Sequence, residues 1–378
     1  ALNPVAIAED PRAPEGRDWW ILSDLDDQLR RGPARPDHVM GVGGATRSLI
    51  ALAPPGDSAC SLDLGTGCGI VALHLALRGP VVATDISERA LGFARANARL
   101  NAVDGIDFRL GDLFAPVAGE RFELILSNPP FVVTPRRGGE GAGREIRYAY
   151  RDGGMIGDGL AARVVREAPD RLAEGGTLLC LANWESHWGA DGLSRVRGWI
   201  REAEERIGPP GSVAAWAIER DRVSPARYAE TWARDGGSRP GEAGFEALVD
   251  DWLADFSARR VVALGLGSIR LRRLGERAGV PADADRLLRL ERADGALSPG
   301  AGAHLASAFA AAIETAAMGD AEILERRWVR SDDVVELREH RPGEDAPRAI
   351  SLVSTAGIER RVSADPMLAA AVGACDGE

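Results

Sequence analysis

Residues 62–69 read LDLGTGCG. An apolar run that leads into closely spaced glycines is typical of a strand that turns tightly into a helix. Glycine adopts left-handed backbone conformations at little cost and lets a ligand approach the main chain. The N-terminus of the following helix would add unpaired N–H groups to such a turn. This stretch therefore predicts a strand–loop–helix unit with a binding site at the turn.

Further apolar runs alternate with helical patterns on both sides of this turn. SERALGFARANARLN, after the second run, predicts a helix with Ser87 as its N-cap. Such alternation implies an α/β fold, a doubly wound parallel sheet with helices on both faces. Ligands of this fold bind at the carboxyl ends of the strands. The predicted strands are CSLDLG (60–65), PVVATD (80–85), IDFRLG (106–111), FELILS (122–127), GTLLCLA (176–182), SVAAWAIER (212–220) and VVALGLGSIRLRRL (261–274).

The two ends of the chain differ in composition from its middle. Residues 1–40 are rich in proline and aspartate, and predict an N-terminal arm or partial subdomain. Residues 41–280 hold the predicted α/β domain. After about residue 281 an alanine-rich helix precedes two strand-like runs, VVELREH and AISLVST. We expect residues 281–378 to form a separate appended α+β domain, and a winged-helix-like arrangement is one form it could take.

Composition excludes several classes of chemistry. Every basic residue of the 378 is arginine, so a Schiff base and a Walker-type phosphate lysine are excluded. The four cysteines lie far apart, which argues against a zinc site and for a reducing cytoplasm. A net charge of −11 disfavours a surface that coats nucleic acid. No apolar run approaches the ~20 residues that cross a membrane.

Acidic residues end the strands that follow the glycine turn. Asp85 stands 22 residues after Asp63, the offset at which nucleoside-binding folds place the acid that holds ribose hydroxyls. The turn does not complete G-x-G-x-x-G, which favours a nucleoside without a pyrophosphate over NAD or FAD. The next strand leads into GDLF (111–114), where Asp112 and Leu113 would lie beside an adenine ring.

These elements resemble the class I S-adenosylmethionine-dependent methyltransferases, over about residues 40–274. SNPPF (127–131) is similar to the N/D-P-P-Y/F/W motif of the members that alkylate planar nitrogens. The resemblance implies a Rossmann-like methyltransferase sheet, S-adenosylmethionine as cofactor and no metal. MGVGGATRSL (40–49) would lie over the methionine end of the cofactor. The cofactor-binding residues expected from the resemblance are Asp63, Gly65, Thr66, Gly67, Gly69, Asp85, Ile86, Asp112, Leu113 and Asn128.

The SNPPF segment suits transfer to a poor nucleophile. The lone pair of an amide or exocyclic amine nitrogen is delocalised, and acceptors for both N–H protons would concentrate electron density on that nitrogen. The Asn128 side-chain oxygen and the Pro129 carbonyl are the expected acceptors. Phe131 would stack on the planar group. Asn128, Pro129 and Phe131 are therefore the predicted catalytic residues.

The sequence is compatible with more than one class of methyl acceptor. RDGGMIGDGLAARVV (151–165) resembles the segment after the motif in the HemK/PrmC protein-glutamine N-methyltransferases, which act on release factors. We therefore expect a cytoplasmic protein N-methyltransferase of glutamine in a macromolecular partner. An rRNA, tRNA or DNA base is the alternative acceptor, and a small molecule is a further one. A cofactor-sensing nucleic-acid-binding protein is the non-enzymatic alternative. Four arginines between residues 136 and 147 form a predicted loop or cluster for phosphate or an acidic partner.

Overall fold

The structure, a computed structural model, describes residues 1–7, 17–25, 35–135, 154–235, 237–275 and 284–377. Strands β1 (Leu2–Ile7) and β2 (Arg17–Leu22) form an antiparallel pair. The larger sheet contains β3 (Ser61–Leu64), β4 (Val81–Asp85), β5 (Ile106–Leu110), β6 (Phe122–Ser127), β7 (Leu172–His187), β8 (Val213–Val223), β9 (Val261–Arg273) and β10 (Leu288–Arg292). A smaller sheet contains β11 (Val334–Glu339), β12 (Ala349–Ser354) and β13 (Arg360–Ala364).

Helices accompany these strands along the chain. They are α1 (Gly44–Leu52), α2 (Ile70–Ala76), α3 (Glu88–Leu100), α4 (Gly159–Glu167), α5 (Gly192–Ile207), α6 (Pro225–Asp235), α7 (Ala243–Ala258), α8 (Ala301–Ala316), α9 (Asp320–Glu325) and α10 (Pro366–Gly373). The N-cap of α3 is Ser87, whose hydroxyl accepts the Ala90 N–H, as the sequence predicted. Within the described ranges, no helix combines the length and apolar character needed to span a membrane.

The larger sheet has the strand order β10-β8-β9-β7-β6-β3-β4-β5. Its pairs are parallel, except that β9 runs antiparallel to both of its neighbours, β7 and β8. The α/β fold and all seven predicted strands are confirmed. The prediction of a seven-stranded sheet was one strand short, because β10 adds an eighth at the edge. Its sequence, LRLER, has five residues, of which three are charged. A search for apolar runs therefore does not find this edge strand.

Packing is continuous across residue 281. Helix α8 lies against α1 so closely that a Cβ on Gly302 would stand 2.2 Å from the Ala53 carbonyl oxygen. The rings of Phe309 on α8 and Trp216 on β8 have centroids 6.2 Å apart. Thus β10 and α8 join the body of the larger sheet, whereas β11–β13 form a sheet of their own.

Asn97 of α3 and Asn101, the C-cap of that helix, hold the N-terminal strand pair. Asn97 accepts the Leu22 N–H at 2.7 Å and donates to the Leu22 carbonyl at 2.9 Å. Asn101 makes the same pair of bonds to the main chain of Trp20, at 2.8 and 2.9 Å. The Asn97 amide also donates to the Cys68 carbonyl at 2.8 Å. The same helix therefore supports the N-terminal pair and the glycine turn.

Candidate active site

A cavity of about 500 Å³ opens at the carboxyl ends of β3, β4, β5 and β6. This is the edge at which parallel α/β sheets place their ligands, and the volume falls within the ~300–1,000 Å³ usual for small-molecule sites. With the exception of Gly69, the residues predicted to bind cofactor or act in catalysis all line it. They are Asp63, Gly65, Thr66, Gly67, Asp85, Ile86, Asp112, Leu113, Asn128, Pro129 and Phe131.

The glycine turn forms a cradle of backbone. Gly65 and Gly67 have φ angles of 80° and 54°, and a Cβ on either would meet no atom within 4 Å. The open space in front of both residues fits a ligand that approaches the main chain. Gly69 has a different place, because a Cβ there would lie 2.9 Å from Ala94 of α3. Gly69 does not line the cavity, and its left-handed φ of 88° and its close packing against α3 both favour glycine there.

Two acids organise this turn, Asp63, which is buried, and Asp85, which is half-buried. The Asp85 carboxylate accepts the Gly67 N–H at 2.9 Å and the Ser87 N–H at 2.8 Å, and burial raises its pKa. Asp63 accepts the Thr66 hydroxyl at 2.6 Å. Burial raises the pKa of Asp63 to about 7, against the opposing effect of that hydrogen bond. Asp85 thus holds the turn together as well as facing the cavity.

The wall expected beside adenine contains a partner that the sequence analysis missed. Arg163 of α4 donates to the Asp112 carboxylate at 2.7 Å. Leu113 has a φ of 44°, a left-handed conformation that is uncommon outside glycine. Leu160, also on α4, lines the same cavity. No local signal marks Arg163, because its partner lies 51 residues away.

The Asn-Pro-Pro-Phe segment is held on both sides. The Asn128 side-chain nitrogen donates to the Thr46 hydroxyl oxygen at 3.1 Å, while its side-chain oxygen is buried without a hydrogen-bond partner. Past Phe131, the Val133 N–H donates to the Tyr228 hydroxyl at 3.0 Å, and the Asn183 amide donates to the same hydroxyl at 2.8 Å. The segment therefore presents one unsatisfied buried acceptor on a braced backbone.

Residues 37–46, which include the first part of the 40–49 segment, form another wall of the cavity. Asp24 supports this wall: it accepts the Val39 N–H at 2.9 Å and two bonds from Arg89. The hydrogen bond from Arg89 lowers the pKa of Asp24 to about 2, although burial opposes it. His38, Trp232 and Asp235 also line the cavity and were not predicted. The sequence spacing of these residues contains no signal that would have grouped them.

GDGL (157–160) belongs to the 151–165 segment whose resemblance favoured glutamine as the methyl acceptor. Its residues also have a structural role. The Asp158 carboxylate accepts the Glu185 N–H at 3.0 Å and pairs with Arg195 at 2.7 Å. Gly157 has a φ of 60°, and a Cβ there would stand 2.9 Å from the Glu185 carboxylate. The segment thus anchors the start of α4 to β7 and α5. The arginines predicted to form a cluster, Arg136, Arg137, Arg144 and Arg147, lie outside the described residues.

Known proteins are similar to this chain in the same region. Residues 41–142 match the family model described as the methyltransferase small domain. A release factor glutamine methyltransferase of Bordetella pertussis is 37% identical over 181 residues, which are 46% of this chain and 63% of the relative. A ribosomal protein uL3 glutamine methyltransferase of Xanthomonas campestris is 36% identical over 127 residues, which are 32% of this chain and 40% of the relative.

Among solved structures, a ribosomal protein L11 methylase of Lactobacillus delbrueckii aligns with 62% of this chain and 81% of its own length, at 18% identity and a TM-score of 0.33. The matches to the two glutamine methyltransferases span between two fifths and two thirds of their lengths. The family model and the relatives confirm the resemblance to S-adenosylmethionine-dependent methyltransferases that the sequence motifs predict, and the matched segment contains the glycine turn, Asp85 and SNPPF.

Proposed function

We propose that this protein transfers a methyl group from S-adenosylmethionine to the side-chain nitrogen of a glutamine in a protein. The observation that carries the proposal is the Asn128 side-chain oxygen, which is buried without a partner in the wall of the cavity that also contains the glycine turn and Asp85. A buried polar atom left unpaired is costly, so an oxygen of this kind indicates a ligand that donates to it.

The cavity residues fit the cofactor by their chemistry. The open space at Gly65 and Gly67 admits a ligand close to the main chain, and the Asp85 carboxylate suits ribose hydroxyls. S-adenosylmethionine supplies an electrophilic methyl group when it is bound. Asp112 and Leu113 would border the adenine, at the end of β5.

The Asn-Pro-Pro-Phe segment would bind the substrate amide. Asn128 and the Pro129 carbonyl would accept the two N–H protons of the glutamine amide, which concentrates electron density on its nitrogen. Phe131 would stack on the amide plane. The proline rings limit backbone motion, so the acceptors keep their positions during transfer. The excess proton can leave after the methyl group has moved, and no general base is required before it.

Two observations favour a protein over a nucleic acid as the partner. The relatives are named for glutamine methylation of a release factor and of a ribosomal protein. The net charge of −11 opposes a general attraction to phosphate.

The test uses S-adenosylmethionine with a labelled methyl group. Peptides that contain Gly-Gly-Gln, the sequence that the HemK/PrmC enzymes methylate in release factors, are compared with Gly-Gly-Asn controls. Purified release factor and ribosomal protein uL3 are then tested as whole-protein acceptors. We expect label in the glutamine peptide and protein only. Label in a cell lysate that nuclease releases, with none released by protease, would overturn the proposal in favour of a base.

Replacement of Asn128 separates its role from cofactor binding. In Asn128→Ala we expect the single-turnover rate to fall ~100–1,000-fold, as for loss of one placed electrostatic contact in a closed site. Cofactor affinity measured by calorimetry should be nearly unchanged. Loss of cofactor binding in this variant, or an intact rate, would contradict the role assigned to Asn128.

A further inference from the structure

An asparagine side chain can present either its oxygen or its nitrogen to a cavity, and the proposed reaction needs the oxygen. We propose that Thr46 is the positioning residue that holds the Asn128 carboxamide in its place in the cavity wall. The kinetic part of this inference rests on the proposed function, and its structural part does not.

The contact between the two side chains carries the inference. The Asn128 side-chain nitrogen donates to the Thr46 hydroxyl oxygen at 3.1 Å, across 82 residues of sequence. Within the described part of the chain, the Asn128 oxygen has no partner. Both residues line the cavity. The nitrogen is thus occupied by the protein, and the oxygen is left for a ligand that donates.

Thr46 stands on a helix that is itself fixed. It lies in the first turn of α1, whose Leu49 and Leu52 are buried in the core. At the other end of this helix, the guanidinium of Arg270, a residue only 2% exposed, donates to the Leu52 carbonyl at 2.6 Å. A threonine side chain also has few rotamers because it is branched at Cβ. The helix therefore holds the Thr46 backbone in place, and the hydroxyl has few alternative positions.

Without the Thr46 hydroxyl, the Asn128 carboxamide could leave its place beside the substrate amide or turn its own N–H groups toward those of the substrate. Two donors cannot satisfy each other, and the amide nitrogen would lose an acceptor in the transition state. A side chain free to rotate would spend part of its time in that orientation. Removal of the Thr46 hydroxyl should accordingly lower turnover without lowering affinity for the cofactor.

The experiment compares three variants of the full chain. Thr46→Val removes the hydroxyl at nearly constant volume, Thr46→Ser keeps it, and Ser48→Ala removes a hydroxyl from the same helix outside the cavity. In Thr46→Val we expect kcat to fall about 10–100-fold, less than for loss of Asn128 itself. Cofactor Kd should change less than about twofold, and Thr46→Ser and Ser48→Ala should stay near wild type.

Thermal unfolding tests the contact without any turnover. If Thr46 and Asn128 support each other, the Tm shifts of Thr46→Val and Asn128→Ala will not add in the double variant. Additive Tm shifts would overturn the inference. Equal losses of cofactor affinity and kcat in Thr46→Val would also overturn it, because they would make Thr46 a cofactor contact. If wild-type protein methylates no glutamine, the proposed function fails, and the unfolding cycle alone then decides the positioning role.

Discussion

At the scale of single residues, burial sets the chemistry of the acids in the cavity. Asp63 and Asp85 end neighbouring strands, and burial raises the pKa of both carboxyl groups. Each acid bonds to the turn, Asp63 through the Thr66 hydroxyl and Asp85 through backbone N–H groups. These residues therefore combine a structural role with their place beside the proposed cofactor.

The raised pKa of Asp63 leads to a pH prediction. The carboxyl group titrates at about 7 in the folded state and near ~3.9 in an unfolded chain. Between these values the folded state binds a proton that the unfolded state has lost, so the free energy of unfolding falls as pH rises from about 4 to about 7. Asp63→Asn removes this titration and should flatten the fall. Urea unfolding at pH 5, 6 and 7 measures the free energy of unfolding. If this free energy falls equally with pH in wild type and in Asp63→Asn, the pKa assigned to Asp63 is refuted.

At the scale of elements, α6 holds the backbone just after the Asn-Pro-Pro-Phe segment, while α1 contacts its asparagine. Tyr228 of α6 is buried among the rings of Trp252 and Phe256, with centroids 5.5 and 6.0 Å away. Its hydroxyl accepts from the Val133 N–H and from Asn183 of β7. One side chain thus links α6, β7 and the backbone that follows Phe131.

Removal of that hydroxyl should loosen the segment. Tyr228→Phe keeps the packed ring but leaves the Val133 N–H and the Asn183 amide without their acceptor. We expect the free energy of unfolding to fall by about 1–3 kcal/mol, the usual cost of unsatisfied buried donors. Chemical denaturation measures the change. A variant as stable as wild type would show that the two donors find other partners.

At the scale of the whole molecule, the region after residue 281 supports the helix that carries Thr46. Helix α8 packs against α1 at Gly302, and its Leu305 and Phe309 are buried in the core beside the larger sheet. The cavity therefore depends on residues separated by more than half of the chain.

The close approach at Gly302 gives a test of this dependence. A methyl group in Gly302→Ala would stand 2.2 Å from the Ala53 carbonyl oxygen, which forces α1 and α8 apart. We expect a loss of about 1–3 kcal/mol in unfolding free energy, as for other overpacked sites. Gly198→Ala in α5 is the matched control, because its added Cβ meets no atom within 4 Å. The control should be neutral or slightly stabilising, and equal stability of both variants would argue against a tight α1–α8 contact.

From the sequence alone we predicted the seven strands, the glycine turn and the grouping of Asp85 with SNPPF. These follow from local periodicity and from the geometric fact that parallel strands bring their carboxyl ends to one edge. The cofactor role of Gly69 stays a prediction, because this residue packs against Ala94 and does not line the cavity. A glycine needed for helix packing and one needed for a ligand have the same local sequence pattern, so only the fold separates them.

The side chains that support the Asn-Pro-Pro-Phe segment could be identified only in the folded structure. Thr46 and Tyr228 lie 82 and 95 residues from the atoms they bond, and the edge strand β10 pairs with β8 across a similar gap. Sequence periodicity reports which face of an element is buried, but it does not report which distant element covers that face. Hydrogen bonds between such elements depend on packing that is complete only in the folded chain. The orientation of Asn128, on which the proposed reaction rests, is therefore a property of the tertiary fold.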